Sequence, residues 1–195
     1  MFTLVCSGAF AALSAPPSTI KTKKFEGSLV RQGAQVNIRW STWIDLPLAT
    51  AKRRITSWAS ATKVIEDRTE FSIVHQATSK RPVRFRVKRK APVFFIPDPT
   101  LLFDAHVTEL KDGSFNVRWN LVEGLPKRAT RSWTLAAQGD GTRVTHESEI
   151  EFPFSPPSAL FDDNPDKQLR EELERFRQAM GASRLSRTGP KAEKQ

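Results

Sequence analysis

Residues Arg131 to Phe154 read RSWTLAAQGDGTRVTHESEIEFPF, and Gln168 to Met180 read QLREELERFRQAM. In the first run, two strand-like segments meet at Gly139-Asp140-Gly141-Thr142, a link whose glycines supply the positive φ that a tight turn requires. Pro153, Pro156 and Pro157 then interrupt the chain. In the second run, Leu169, Leu173, Phe176 and Met180 follow one another at spacings of four, three and four, which draws one unbroken apolar stripe along a helix. Asp162, Asp163, Asn164 and Asp166 supply capping groups before it, and Gly181 can end it. Strands that finish in a single amphipathic helix predict a curved sheet folded around that helix, with an apolar pocket between the two.

The same rhythm extends toward the N-terminus. Lys111-Asp112-Gly113-Ser114 marks another hairpin, joining strands at Leu101–Leu110 and Phe115–Val122. Val83, Phe85 and Val87 alternate with Arg84, Arg86 and Lys88, so this strand should be apolar on one face and basic on the other. Thr69–Gln76 and Lys63–Glu66 read as short strands, and residues 92–99 (PVFFIPDP) as a proline-bounded hinge. Leu48, Ala51, Ile55 and Trp58 share a helical face within Leu46–Trp58, and Pro47 suits its first turn. Val36, Ile38 and Trp40 alternate as a strand, Gly33 marks a turn, and Phe25–Val30 reads as a strand. One domain over residues 25–181 is expected, with a leader and linker over 1–24 and a disordered basic tail over 182–195.

Composition narrows the class. A chain of 195 residues with 13 Phe and 5 Trp has the apolar material for a buried core. Cys6 is the only cysteine, so no intramolecular disulfide can form. Thr3-Leu4-Val5 lacks the small residue that lipoprotein processing needs directly before a cysteine. Met1 to Ala15 resembles the hydrophobic part of a secretory signal without basic residues ahead of it, and is too short to span a bilayer. Export, to a periplasm or to the outside, is therefore expected ahead of a cytoplasmic location, the alternative being a plain N-terminal extension. The net charge of +10 makes anionic surfaces reachable partners.

In order along the chain, these features resemble the START and polyketide-cyclase-like (SRPBCC) superfamily. Trp133 stands for its late-strand tryptophan, Gly141-Thr142 for the turn opening its last strand, and Pro153 with Pro156-Pro157 for its proline-containing stretch before the helix. The resemblance covers roughly Ser28 to Met180. It departs at Ser41–Ser60, where the family's Val-Trp pair and inter-helix proline are missing. It implies an α+β helix-grip fold, a curved antiparallel sheet wrapped around a long C-terminal helix. It also implies a cavity for a lipid, quinone, polyketide or similar apolar ligand, whose burial gains about 25 cal/mol per Å². The expected ligand-binding residues on the concave face are Phe103, Phe115, Val117, Trp119, Leu121, Trp133 and Leu135, joined by Phe176 and Met180 from the helix. The same side chains equally suit a filled core, and a register slip of one residue would invert the set.

Catalytic signatures do not emerge. His75, His106 and His146 are far apart in sequence, so no metal or cofactor is expected. Asp104 and His106 share a strand face. No Gly-x-Ser-x-Gly elbow is present. Glu147, Glu149 and Glu151 alternate along one strand face and are expected to make cross-strand pairs with Arg131 or Arg143. On the strand at Arg81–Lys90, Phe85 faces away from the basic residues, which ranks a solvated face first, an anionic membrane or lipid headgroup contact second and nucleic acid third. The expected function is a binding or carrier protein with an apolar cavity for a lipid-like molecule. The alternatives are a cyclase- or aromatase-type enzyme using that cavity, and an interaction protein with a filled core.

Overall fold

A computed structural model describes residues 18–22, 25–65, 68–79, 81–89, 99–155 and 164–182. Nine strands form one antiparallel sheet: β1 (Ser18–Thr22), β2 (Phe25–Gln32), β3 (Gln35–Ile44), β4 (Arg68–His75), β5 (Val83–Arg89), β6 (Thr100–Glu109), β7 (Phe115–Glu123), β8 (Arg128–Gln138) and β9 (Gly141–Glu151). Their spatial order is β1-β2-β3-β9-β8-β7-β6-β5-β4, so the last strand in sequence lies beside β3 at the middle of the sheet. Three helices complete the described fold: α1 (Leu48–Ile55), α2 (Trp58–Ile65) and α3 (Pro165–Met180). The curved sheet grips α3, which is the α+β helix-grip arrangement expected from the sequence.

The hairpins form where the glycines predict them. Gly113 (φ 78°) turns β6 into β7, and Asp112 accepts hydrogen bonds from the Ser114 amide and hydroxyl at 2.9 and 2.6 Å. Gly141 serves a different need. A Cβ there would lie 2.4 Å from the Ile44 carbonyl oxygen and 2.5 Å from the Trp43 ring, so β9 can start against the end of β3 only without a side chain. Thr142 follows, donating from its hydroxyl to the Leu46 carbonyl at 2.6 Å. At the other end of α3, Asn164 accepts from the Lys167 amide at 3.0 Å, and Gly181 closes the helix in the left-handed region (φ 58°).

Two expectations are corrected. Residues 63–65 belong to a helix, not a strand, and the helix expected across Leu46–Trp58 breaks in two at Thr56-Ser57. The β-branched run Thr62-Lys63-Val64-Ile65 suggests a strand, yet Trp58, Ala61 and Thr62 fall on one helical face, and Ala61 and Thr62 are fully buried. The Thr62 hydroxyl donates to the Trp58 carbonyl at 2.6 Å, which satisfies it inside a helix. The segment expected as a linker also contributes the edge strand β1, paired with β2. The hinge at 92–98 and the tail from 183 lie outside the described residues, as do residues 1–17.

The core lies between the concave sheet face and the helices. Leu169, Leu173, Phe176 and Met180 are all buried, and Gly27 lets α3 approach closely, since a Cβ there would meet Leu169 at 3.0 Å. We expect Gly141→Ala to lower unfolding stability by roughly 2–3 kcal/mol, because the backbone carbonyl it meets cannot step aside. Urea denaturation measures this, and a change below 0.5 kcal/mol would show that the strand start shifts freely.

Candidate functional site

Register assembles the interior. Trp40 on β3 is paired with His146 on β9, and His146 with Trp133 on β8. Side chains alternate across a strand, so all three project from one face. The ring centroids of Trp40 and Trp133 each lie 4.8 Å from His146, the latter in a stacked arrangement. From Trp133 the contacts continue to Trp119 at 4.7 Å, Phe85 at 5.2 Å and Phe103 at 5.6 Å from Phe85. Phe176 of α3 closes the other end, 5.0 Å from Trp40. The concave face is thus an aromatic floor running across the sheet.

Every expected ligand-binding residue lies on this floor or the helix above it. Phe103, Phe115, Val117, Trp119, Trp133, Leu135, Phe176 and Met180 are buried, and Leu121 is partly buried against them. Trp119, Val117, Leu135 and Met180 have no exposed surface, so in this conformation neighbouring side chains pack directly on them. The Lys52 ammonium sits 4.9 Å from the centre of the Phe115 ring at the rim.

Inside this apolar setting lies a charged group that the sequence reading missed. Glu172 projects from α3 and places Oε1 3.0 Å from His146 Nε2, an ion pair, and accepts from the Trp40 indole N–H at 3.3 Å. His146 Nδ1 is 2.9 Å from the Ser132 carbonyl. Both ring nitrogens therefore lie within 3.0 Å of an oxygen, Nδ1 of a backbone carbonyl and Nε2 of the Glu172 carboxylate. Burial alone would push the Glu172 carboxyl up. The His146 contact, the Arg131 charge and the Trp40 indole outweigh it and hold the carboxyl down to about 2.

The signals for these residues were present. If Glu147, Glu149 and Glu151 face outward, His146 and Ser148 must face inward. Glu172 sits on the apolar stripe of α3, between Leu169 and Phe176. The expected pairing of Arg131 with the glutamate ladder is corrected: Arg131 is opposite Ser148, on the concave side. Arg143 instead meets Glu26 at 3.1 Å, while the ladder is served by Arg39 to Glu147 at 3.2 Å and Lys127 to Glu151 at 2.8 Å.

Part of the charge on the convex face is paired. Arg84 makes a two-pronged contact with Asp104, both distances 2.7 Å, and Lys88 meets Glu70 at 3.1 Å. Hydrogen bonding from Arg84 holds the Asp104 carboxyl below its usual range. A polar hollow of about 290 Å³ lies at the ends of β3, β8 and β9, lined by Gln35, Asn37, Arg128, Glu149, Ile150 and Glu151. Among the described residues no three His, Cys, Asp or Glu side chains come together as a metal site, and no helix is long and apolar enough to cross a membrane.

Linkage fixes the pH behaviour. A carboxyl lowered in the folded state adds stability above its ordinary value of 4.5, and that stability is lost as pH falls through the folded value of about 2. Glu172→Gln should cost on the order of 2–4 kcal/mol at neutral pH. The gap from wild type should close between pH 4.5 and 2. Parallel denaturation curves across that range would contradict the ion pair.

No family model and no curated protein matches the chain. Solved structures do. The chain is similar to a STAR-related lipid transfer protein from Xanthomonas axonopodis, at 17% identity and TM-score 0.65, covering 85% of this chain and 98% of that one. It is similar to human StAR-related lipid transfer protein 5, at 13% identity and TM-score 0.64, covering 85% and 86%. The lipid transfer and protein localization domain of human StarD13 aligns at 13% identity and TM-score 0.58, covering 85% and 89%. Identities this low speak to architecture alone, and the curved antiparallel sheet with its gripped C-terminal helix agrees: the chain has the START-like helix-grip fold.

Proposed function

We propose that this protein binds or carries a lipid-like hydrophobic molecule on the concave side of its sheet, beneath α3. One observation carries the reading: an aromatic floor into which Glu172 of α3 reaches His146, with Arg131 on the neighbouring row. An apolar floor with a few polar groups set into it matches an amphiphile, which needs apolar walls and a few groups to orient it. Phe103, Phe115, Val117, Trp119, Leu121, Trp133, Leu135, Phe176 and Met180 would contact the apolar part. The architecture shared with lipid transfer proteins supports the same reading.

A cyclase- or aromatase-type enzyme is the second reading, because His146 and Glu172 could serve acid–base chemistry. The geometry favours binding: His146 is enclosed, with Nδ1 2.9 Å from the Ser132 carbonyl and Nε2 3.0 Å from Glu172, so both nitrogens face groups of the protein itself.

Native mass spectrometry of the purified protein, before and after incubation with lipid and quinone extracts, tests the proposal. The expected spectrum contains a discrete apolar adduct approaching one per chain. A bare mass under all of these conditions would contradict it and leave the filled-core reading. Turnover of the adduct, lost on changing one polar residue of the floor, would favour the enzyme.

A further inference from the structure

Several buried polar atoms on the concave floor make no hydrogen bond among the described residues: Ser148 Oγ, Trp119 Nε1 and Trp133 Nε1, together with His146 Nε2, which lies beside Glu172 at 3.0 Å. All four side chains are almost wholly enclosed. Leaving such a group unmatched costs about 1–3 kcal/mol, and native interiors keep few of them. Here they stand on the three successive strands β9, β8 and β7, on one face of the sheet. Ser148 is opposite Arg131, Arg131 is opposite Trp119, and Trp133 lies two residues along β8 beside His146. The Trp119 and Trp133 rings touch, with centroids 4.7 Å apart.

The chemistry of the patch is one-sided. An indole N–H can only donate, and a serine hydroxyl can donate. Glu172, the acidic group nearest, already accepts from Trp40 and faces His146. The Arg131 guanidinium stands on the same row, and its charge also reaches the Glu172 carboxyl. The patch is also near solvent: Arg131 is half-buried and Glu172 keeps 24% of its side-chain surface exposed.

Resting on the carrier reading, we propose that Ser148, Trp119 and Trp133 hold the carboxylate head of a long-chain fatty-acid-type ligand, whose chain lies along the aromatic floor. Entry requires α3 to part from the sheet. Once the head group is seated, its oxygens supply the acceptors these donors lack.

Displacement of a fluorescent polyene fatty acid from the full-length protein tests this, using oleate, methyl oleate and oleylamine as competitors of one chain length. Oleate should displace it at least tenfold better than either of the others. Ser148→Ala should weaken oleate about tenfold while leaving the melting temperature of the free protein unchanged or raised, because it removes an unmatched buried hydroxyl. Trp119→Phe should weaken oleate in the same sense. Equal displacement by ester or amine would overturn the head-group assignment while leaving the carrier reading intact. So would unchanged oleate affinity in both variants, or a Ser148→Ala protein that loses melting temperature in step with affinity. Failure of the probe and every competitor to bind would overturn the fatty-acid assignment, and a bare mass after the lipid and quinone incubations would remove the carrier reading itself.

Discussion

A carboxylate on the apolar face of a helix must find a partner when that face is buried, and here Glu172 of α3 finds His146 and Trp40. The rest of the interior is arranged around that requirement. His146 reaches Glu172 only because β9 lies between β3 and β8, and that placement in turn stacks Trp40 and Trp133 on either side of the imidazole. The Ser132 carbonyl fixes the ring from behind. The helix is thus held to the sheet at one defined rotation and height, which hydrophobic contact, being non-directional, would not specify. Further polar ties agree with the same seating: Arg177 donates to the Trp43 carbonyl at 2.8 Å, Arg31 to Gln168, and Arg54 to the Met180 carbonyl.

Much of the architecture was legible because it rests on short-range rules. Period-two alternation fixed the buried faces of β5, β7 and β8, and Gly113, Gly139 and Gly141 fixed their turns. The stripe Leu169-Leu173-Phe176-Met180 identified the gripped helix. The concave-face assignment of Phe103, Val117, Trp119 and Trp133 follows from the same alternation and agrees with their burial. Where the reading failed, local preference competed with tertiary packing. The β-branched residues of α2 favour a strand in isolation, but packing of α2 against α3 and burial of Ala61 and Thr62 decide for a helix.

The polar part of the site was not legible for a different reason. Glu172 and His146 are 26 positions apart in sequence, and only the strand order brings them together. Each departs quietly from its local pattern, a glutamate on an apolar stripe and a histidine on a face opposite three glutamates. Such departures are the places where a sequence gives up stability for something else, because a buried charge is costly unless matched. Taken together they mark the Glu172–His146 contact as the part of the interior that packing alone does not explain.

The indole N–H resonances of the five tryptophans, recorded while oleate is added, test most directly whether the concave floor is a binding site. Trp119 and Trp133 have unpartnered indole nitrogens on the floor, whereas the Trp43 indole already donates to the Gln138 carbonyl at 3.3 Å. Saturable shifts at Trp119 and Trp133, with Trp43 unmoved, are the predicted result. Binding that shifts Trp43 and leaves both floor tryptophans unchanged would contradict the account.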